Sequence, residues 1–356
     1  MKTIVGVFLL AICAAAQPPI QEPLAPPDNF FDSNGVRIRY LDQGHGPPVV
    51  LIHGYTGSIE RHWIATGVFA NLVKDHRVIA LDCRGHGKSG KPTDPKAYGA
   101  EMAQDIVRLL DHLKIQRAHV VGFSMGAMIA GRLLITNADR LLTVAFVGHH
   151  PVRKWTTVDE QEAEASAREL EGDLPFRSLI LGISPPDAAP PTDDEIRALS
   201  RRLIATNDLK ALAAFHRGRR TLTVTDAQLA AVRVPTLEII GSADPNLVDV
   251  QELRKVMRAL KVVVVDGASH GGERGVLRRT EFLAALHESL ADRRGTVRVR
   301  AKAARRAISR RNTWLFVHSE GRSPESVRPP CYVALRQPHD NLNGIGVGSG
   351  VWLYGH

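Results

Sequence analysis

Ala118-His119-Val120-Val121-Gly122-Phe123-Ser124-Met125-Gly126-Ala127 decides the fold. The stretch begins as an apolar run, passes through Gly122-x-Ser124-x-Gly126, and continues as helix-like sequence from Met125 to Leu134. A strand, a sharp turn and a helix around such a pattern lift a serine hydroxyl above the end of a sheet. Glycines on both sides of the serine suit a turn too tight for side chains. The five-residue pattern alone arises often by chance, so its surroundings must carry the argument.

Outward from that turn, Val49-Val50-Leu51-Ile52, Val78-Ile79-Ala80-Leu81, Leu142–Val147, Leu237–Ile240 and Val262–Val265 are continuous apolar runs. That is the pattern of strands buried on both faces. Val36–Asp42 alternates, as an edge strand does. Between the runs lie amphipathic stretches: Glu101–Leu113 (with Met102, Ile106, Leu109, Leu110 and Leu113), Val248–Leu260 and Arg279–Leu290. Buried strands alternating with such helices predict an α/β fold with a mostly parallel, doubly wound sheet. The alternation spans 30–150 and 234–292 and breaks over 151–233. There, Glu160–Leu170, Asp194–Ile204 and Leu209–Phe215 look helical around a Pro-rich hinge, Pro185-Pro186 and Pro190-Pro191. An inserted helical cap is expected.

The chain has 356 residues and a formal net charge of +9. Residues 293–356 hold twelve basic and three acidic residues, so the excess belongs to a tail and the body is neutral. Nucleic-acid binding is therefore not expected of the folded core. The tail, basic and then Gly- and Pro-punctuated, is expected to be disordered or weakly ordered and is a candidate for contact with anionic surfaces. At the other end, Lys2, the apolar run Ile4–Ala15 and Ala14-Ala15-Ala16 before Gln17 read as a signal peptide over 1–16. A Pro-rich leader over 17–29 follows. The apolar run falls short of the ~20 residues of a transmembrane span. The expected location is secreted or periplasmic. After cleavage only Cys83 and Cys331 remain, too few for a disulfide framework.

A serine is a poor nucleophile until a base takes its proton, and the base needs an acid to fix its tautomer. In an open parallel sheet such groups belong at the carboxyl ends of strands. After Leu237–Ile240 comes Gly241-Ser242-Ala243-Asp244-Pro245; after Val262–Val265 comes Asp266-Gly267-Ala268-Ser269-His270. Ser124, Asp244 and His270 are the candidate nucleophile, acid and base. Asp266 is the rival acid, but it lies too close to His270 in the chain and reads as a strand-end turn residue. After Val49–Ile52 comes His53-Gly54-Tyr55-Thr56-Gly57, a loop that can offer the Tyr55 N–H to a developing oxyanion; the Met125 N–H would be the second donor. Adjacent His149 and His150 would point opposite ways on an extended chain, and no ligand spacing accompanies them, so no metal site is expected.

With these residues stands Asp82-Cys83-Arg84-Gly85-His86-Gly87-Lys88-Ser89. Together the motifs resemble the α/β-hydrolase superfamily, in its serine-nucleophile branch with a helical cap, over roughly residues 30–292. The resemblance implies hydrolysis of a carbonyl compound through an acyl-enzyme, without metal or organic cofactor. His53, Gly54, Asp82 and Arg84 are expected to brace the site. One departure is Ala127, where a small glycine-like residue is frequent. The expected substrate is a small-molecule carboxylic ester. Carbon–carbon bond hydrolysis, prolyl aminopeptidase action and cofactor-free perhydrolysis would use the same triad, and a non-catalytic ligand-binding protein is the reading from another class. An aminopeptidase would need cap carboxylates to hold an amine; Glu160, Glu162, Glu164, Asp193, Asp194 and Glu195 are the candidates. Serine at the elbow argues against haloalkane and epoxide chemistry, which needs a carboxylate there.

Overall fold

The computed structural model describes residues 26–291. The expected signal peptide, most of the Pro-rich leader and the basic tail lie outside the described residues.

Eight strands form one sheet: β1 (Asn29–Ser33), β2 (Val36–Gln43), β3 (Pro48–Ile52), β4 (Arg77–Leu81), β5 (Ala118–Phe123), β6 (Leu141–Val147), β7 (Thr236–Gly241) and β8 (Lys261–Val265). Their order is β1-β2-β4-β3-β5-β6-β7-β8. β3 to β8 run parallel; β1 and β2 are antiparallel additions at one edge. The apolar runs supply the inner strands, and every residue of β5 and β7 is buried. The helices are α1 (Val68–Leu72), α2 (Ala100–His112), α3 (Met125–Thr136), α4 (Thr157–Glu169), α5 (Arg177–Gly182), α6 (Asp193–Ile204), α7 (Leu209–Gly218), α8 (Asp226–Ala230), α9 (Leu247–Val256) and α10 (Thr280–Leu290). One face of the sheet packs on α2, α3 and α9 through Ile106, Leu109, Leu133 and Leu253. The other packs on α1 and α10 through Phe69, Leu72, Phe282 and Leu286.

Two strand expectations need correction. Val36–Asp42 is not the edge: it pairs with β1 on one side and β4 on the other. Asn34-Gly35, both at positive φ, turns the chain back tightly and adds β1 outside it. Val262–Val265 is not buried on both faces. Among the described residues it is the opposite edge, bonded only to β7, and Val264 is 49% exposed.

Between β6 and β7 the chain inserts α4 to α8 and no strand. All but α5 start on side-chain caps; Thr156 with Asp159 and Thr192 with Glu195 form reciprocal capping boxes. Ala167, Leu170, Phe176, Ile180, Ile196, Leu203, Leu212 and Ala213 give the insert a small core of its own. Tyr55 packs against both this core and that of the sheet.

Consecutive strands β3 and β4 lie to one side, and β5 returns to the other side of β3. The crevice between β3 and β5 is therefore a topological switch point, where open α/β sheets place ligands. The loop 53–57 leaves β3 and Ser124 leaves β5 at that crevice.

Candidate active site

Ser124 is the turn between β5 and α3. It sits at φ 53° and ψ −115°, and its N–H donates to the Val147 carbonyl at 2.9 Å. A non-glycine residue held in that region costs about 1–3 kcal/mol, strain that collects at functional sites. The flanking glycines are steric necessities. A Cβ on Gly126 would strike the Ile52 carbonyl, and one on Gly122 would strike the Gly126 carbonyl.

The three residues found at strand exits converge. Ser124 Oγ lies 3.0 Å from His270 Nε2, and His270 Nδ1 lies 2.9 Å from Asp244 Oδ2. The carboxylate fixes the tautomer: Nδ1–H donates to Asp244, so Nε2 is free to accept the Ser124 proton. The imidazole is held against the Phe123 ring, 5.3 Å between centroids. Its loop is closed by Ser269 N–H to the Arg274 carbonyl and Val276 N–H to the Ser269 carbonyl. Asp266 lies apart, its Oδ1 accepting from the Ser242 hydroxyl at 3.3 Å.

One supporting residue escaped the sequence. Asn246 donates to Asp244 Oδ1 from both its backbone N–H and its side-chain amide, each at 3.0 Å. The same amide reaches the Gly148 carbonyl at 3.1 Å. The Asp244 carboxylate is thus bonded on both oxygens, one turned to the imidazole and one to Asn246.

Gly54 lies against the Ser124 side chain, so the loop after β3 borders the nucleophile. Its neighbours are tied down. His53 Nε2 accepts from the Cys83 N–H at 3.0 Å, which makes Nδ1–H the donor to the Gly54 carbonyl at 2.8 Å. His62, also unread in the sequence, accepts the Gly54 N–H at 3.1 Å; burial pushes its pKa well down. The N–H groups of Tyr55 and Met125 have no acceptor among the described residues, as expected for Met125 in the first turn of a helix. Met125 directly follows Ser124, and Tyr55 directly follows Gly54.

The bracing residues act on backbone. Asp82 accepts from the Ile59 N–H and the Lys88 N–H, both at 2.8 Å, and pairs with Arg39 at 2.9 Å. It joins the loops after β3 and β4. Arg84 forms a buried bidentate pair with Asp105 of α2 and donates to the Ala97 carbonyl. Neither side chain hydrogen-bonds to Ser124 or His270.

The fold agrees with what the chain is similar to. Residues 47–178 match the family model described as alpha/beta hydrolase fold. A thermophilic esterase from Thermogutta terrifontis superposes with a TM-score of 0.61 at 22% identity, covering 74% of this chain and 97% of that one. This is an α/β-hydrolase fold. Among curated relatives, the chain is 29% identical over 235 residues to 3-oxoadipate enol-lactonase 1 of Acinetobacter baylyi, covering 64% of this chain and 85% of the lactonase. It is 37% identical over 131 residues to the dihydrolipoyllysine-residue acetyltransferase component of the acetoin cleaving system of Cupriavidus necator. That match spans 36% of this chain and only 33% of the relative.

Two further points concern this hydrolase fold. His149 and His150 do not point opposite ways; their rings lie 4.7 Å apart at 32°. The expectation assumed an extended chain, but Gly148 at φ 67° ends β6 in a bend. His149 Nδ1 accepts the His150 N–H, and burial lowers the His149 pKa to about 3. Most of the insert's candidate carboxylates are already engaged. Glu160 accepts from Trp155 Nε1, Glu164 pairs with Arg168 and Arg217, Asp193 with Arg177, Asp194 with Arg197, and Glu195 closes a capping box. That weakens the case for an amine-holding cluster.

Proposed function

We propose that the protein is a serine hydrolase that cleaves a carboxylic ester through an acyl-enzyme on Ser124. The observation that carries this reading is the unbroken Ser124–His270–Asp244 chain, with contacts of 3.0 and 2.9 Å, on a strained elbow. Ser124 Oγ attacks the ester carbonyl carbon while His270 Nε2 takes its proton. Asp244 stabilises the imidazolium, and the N–H groups of Tyr55 and Met125 receive the negative oxygen. His270 then protonates the departing alcohol. Water, deprotonated by the same imidazole, releases the acid and restores Ser124. The lactonase relative, which by its name acts on a cyclic ester, supports the choice of bond.

The helical insert between β6 and β7 serves as a cap over the site, since Tyr55 is held between it and the sheet. Residues 1–16 support export, and N-terminal sequencing of the mature protein should find Gln17 first. Contact of the basic tail with anionic surfaces is tested by truncation after Ala291, which should abolish vesicle binding and spare turnover.

The deciding experiment for the reaction is hydrolysis of p-nitrophenyl esters over a ladder of acyl lengths, wild type beside Ser124→Ala. Turnover is expected in the wild type and its loss in the variant. A folded wild type without turnover would remove simple esters and leave diketones, prolyl amides or a pocket that only binds.

A further inference from the structure

Tyr55, in the loop that borders Ser124 through Gly54, packs its side chain against the helical insert. Its hydroxyl lies 2.9 Å from His216 Nε2, and its ring stacks on Phe215. Burial holds His216 neutral, with a pKa lowered to about 3. The pair therefore contains two donors, the Tyr55 O–H and one imidazole N–H, but makes a single hydrogen bond between them. If the hydroxyl donates, the His216 Nδ1–H is left over; if Nε2–H donates, the Tyr55 O–H is left over. His216 Nδ1 is buried and has no partner among the described residues. In either tautomer one donor lacks an acceptor.

A second orphan lies beside the first. Arg219 follows His216 by three residues at the end of α7, on the same side of the helix. Its Nε is buried without a partner among the described residues. Its neighbours are paired: Arg217 with Glu164 and Glu171, and Arg220 with Glu160. Asp159 and Glu162 of α4 face Arg219, but neither comes within ion-pair distance, and Asp159 is committed to the Thr156 cap. The guanidinium lies 5.7 Å from the Trp155 ring centre and within electrostatic reach of both Tyr55 and His216. Buried donors without acceptors are rare in native proteins because each is costly. Two of them beside one aromatic residue call for an acceptor-rich group that the described residues do not supply. A carboxylate fits: it accepts from the guanidinium and from a neutral donor at once, and charge assistance strengthens both bonds.

We infer that Arg219 and the Tyr55–His216 pair form a subsite for an ionised carboxylate of the substrate, so that the favoured substrate is an ester or lactone carrying a second, charged carboxyl group. This rests on the ester reading above for the bond that reacts.

The test is calorimetric binding of monobenzyl glutarate and its neutral match, benzyl valerate, to Ser124→Ala, which holds esters without turning them over. The charged ester should bind about tenfold tighter, the effect of a hydrogen bond to a charged group. In Ser124→Ala/Arg219→Gln that preference should fall to within about twofold, and Arg219→Lys should keep part of it. Equal binding of the two esters to Ser124→Ala would overturn the subsite, and this arm holds even if Arg219→Gln does not fold. A preference that survives in a folded Arg219→Gln variant would also overturn it. Preferential binding without wild-type turnover of either ester would remove the ester chemistry and keep the subsite. Turnover of both esters with equal binding would do the reverse.

Discussion

Asp244 and Glu238 both come from β7 and its exit turn, and both are shielded from water, at 3% and 0% exposure. Their surroundings are opposite. Asp244 bonds through one oxygen to His270 and through the other to two N–H groups of Asn246. Glu238, flanked in register by Phe146 and Val262, has neither oxygen bonded to anything among the described residues. Burial pushes its carboxyl well above the usual range, and the nearby Asp244 charge adds to the effect. A carboxylate works as an orienting anion because donors replace its water; burial without donors only makes it a proton-holding liability.

Exchanging the carboxylate's chemistry at Asp244 should have the largest effect. Asp244→Asn would turn an amide toward His270 Nδ1 and favour the wrong tautomer, lowering kcat by about 10⁴-fold. Steady-state turnover of the best p-nitrophenyl ester measures it. Wild-type kcat in this variant would move the acid elsewhere, with Asp266 next in line.

Removing only the support should cost less. Asn246→Ala deletes one bond to Asp244 and one to the Gly148 carbonyl, and kcat should fall roughly tenfold, the scale of a hydrogen bond to a charged group. A variant that loses thermal stability at unchanged kcat would make Asn246 structural only.

Glu238→Met should leave turnover alone and raise stability by about 1–3 kcal/mol, since an apolar side chain of similar size removes an unpaired buried polar group. The sign of its pH dependence follows from the raised pKa. The Glu238 contribution is complete below the unfolded carboxyl value of about 4.3 and is lost as pH rises toward the folded value. The stabilisation by methionine should therefore be larger at pH 8 than at pH 5 in urea melts. A destabilised Glu238→Met would mean that the carboxyl has a function its surroundings do not reveal.

The same contrast explains what could be read beforehand. Ser124, Asp244 and His270 were legible because buried strands write themselves as apolar runs and the reactive groups follow their ends. Glu238 stood inside Leu237–Ile240 in plain view, yet the run reads as apolar only if that glutamate is passed over. β1 goes unread although Asn34-Gly35 is a strong hairpin signal. Asn246 and His62 depend on how turns fold back, which periodicity does not encode. His216 and Arg219 come from an insert far along the chain from Tyr55, and only the packing of Tyr55 against the insert brings His216 to it.

The most direct measurement is intact-protein and peptide mass spectrometry after treatment with a fluorophosphonate, a stable mimic of ester attack. The prediction is one phosphonyl group on Ser124, absent in Ser124→Ala and added far more slowly in Asp244→Asn. Labelling of another residue, or none in a folded wild-type protein, would contradict a nucleophilic Ser124.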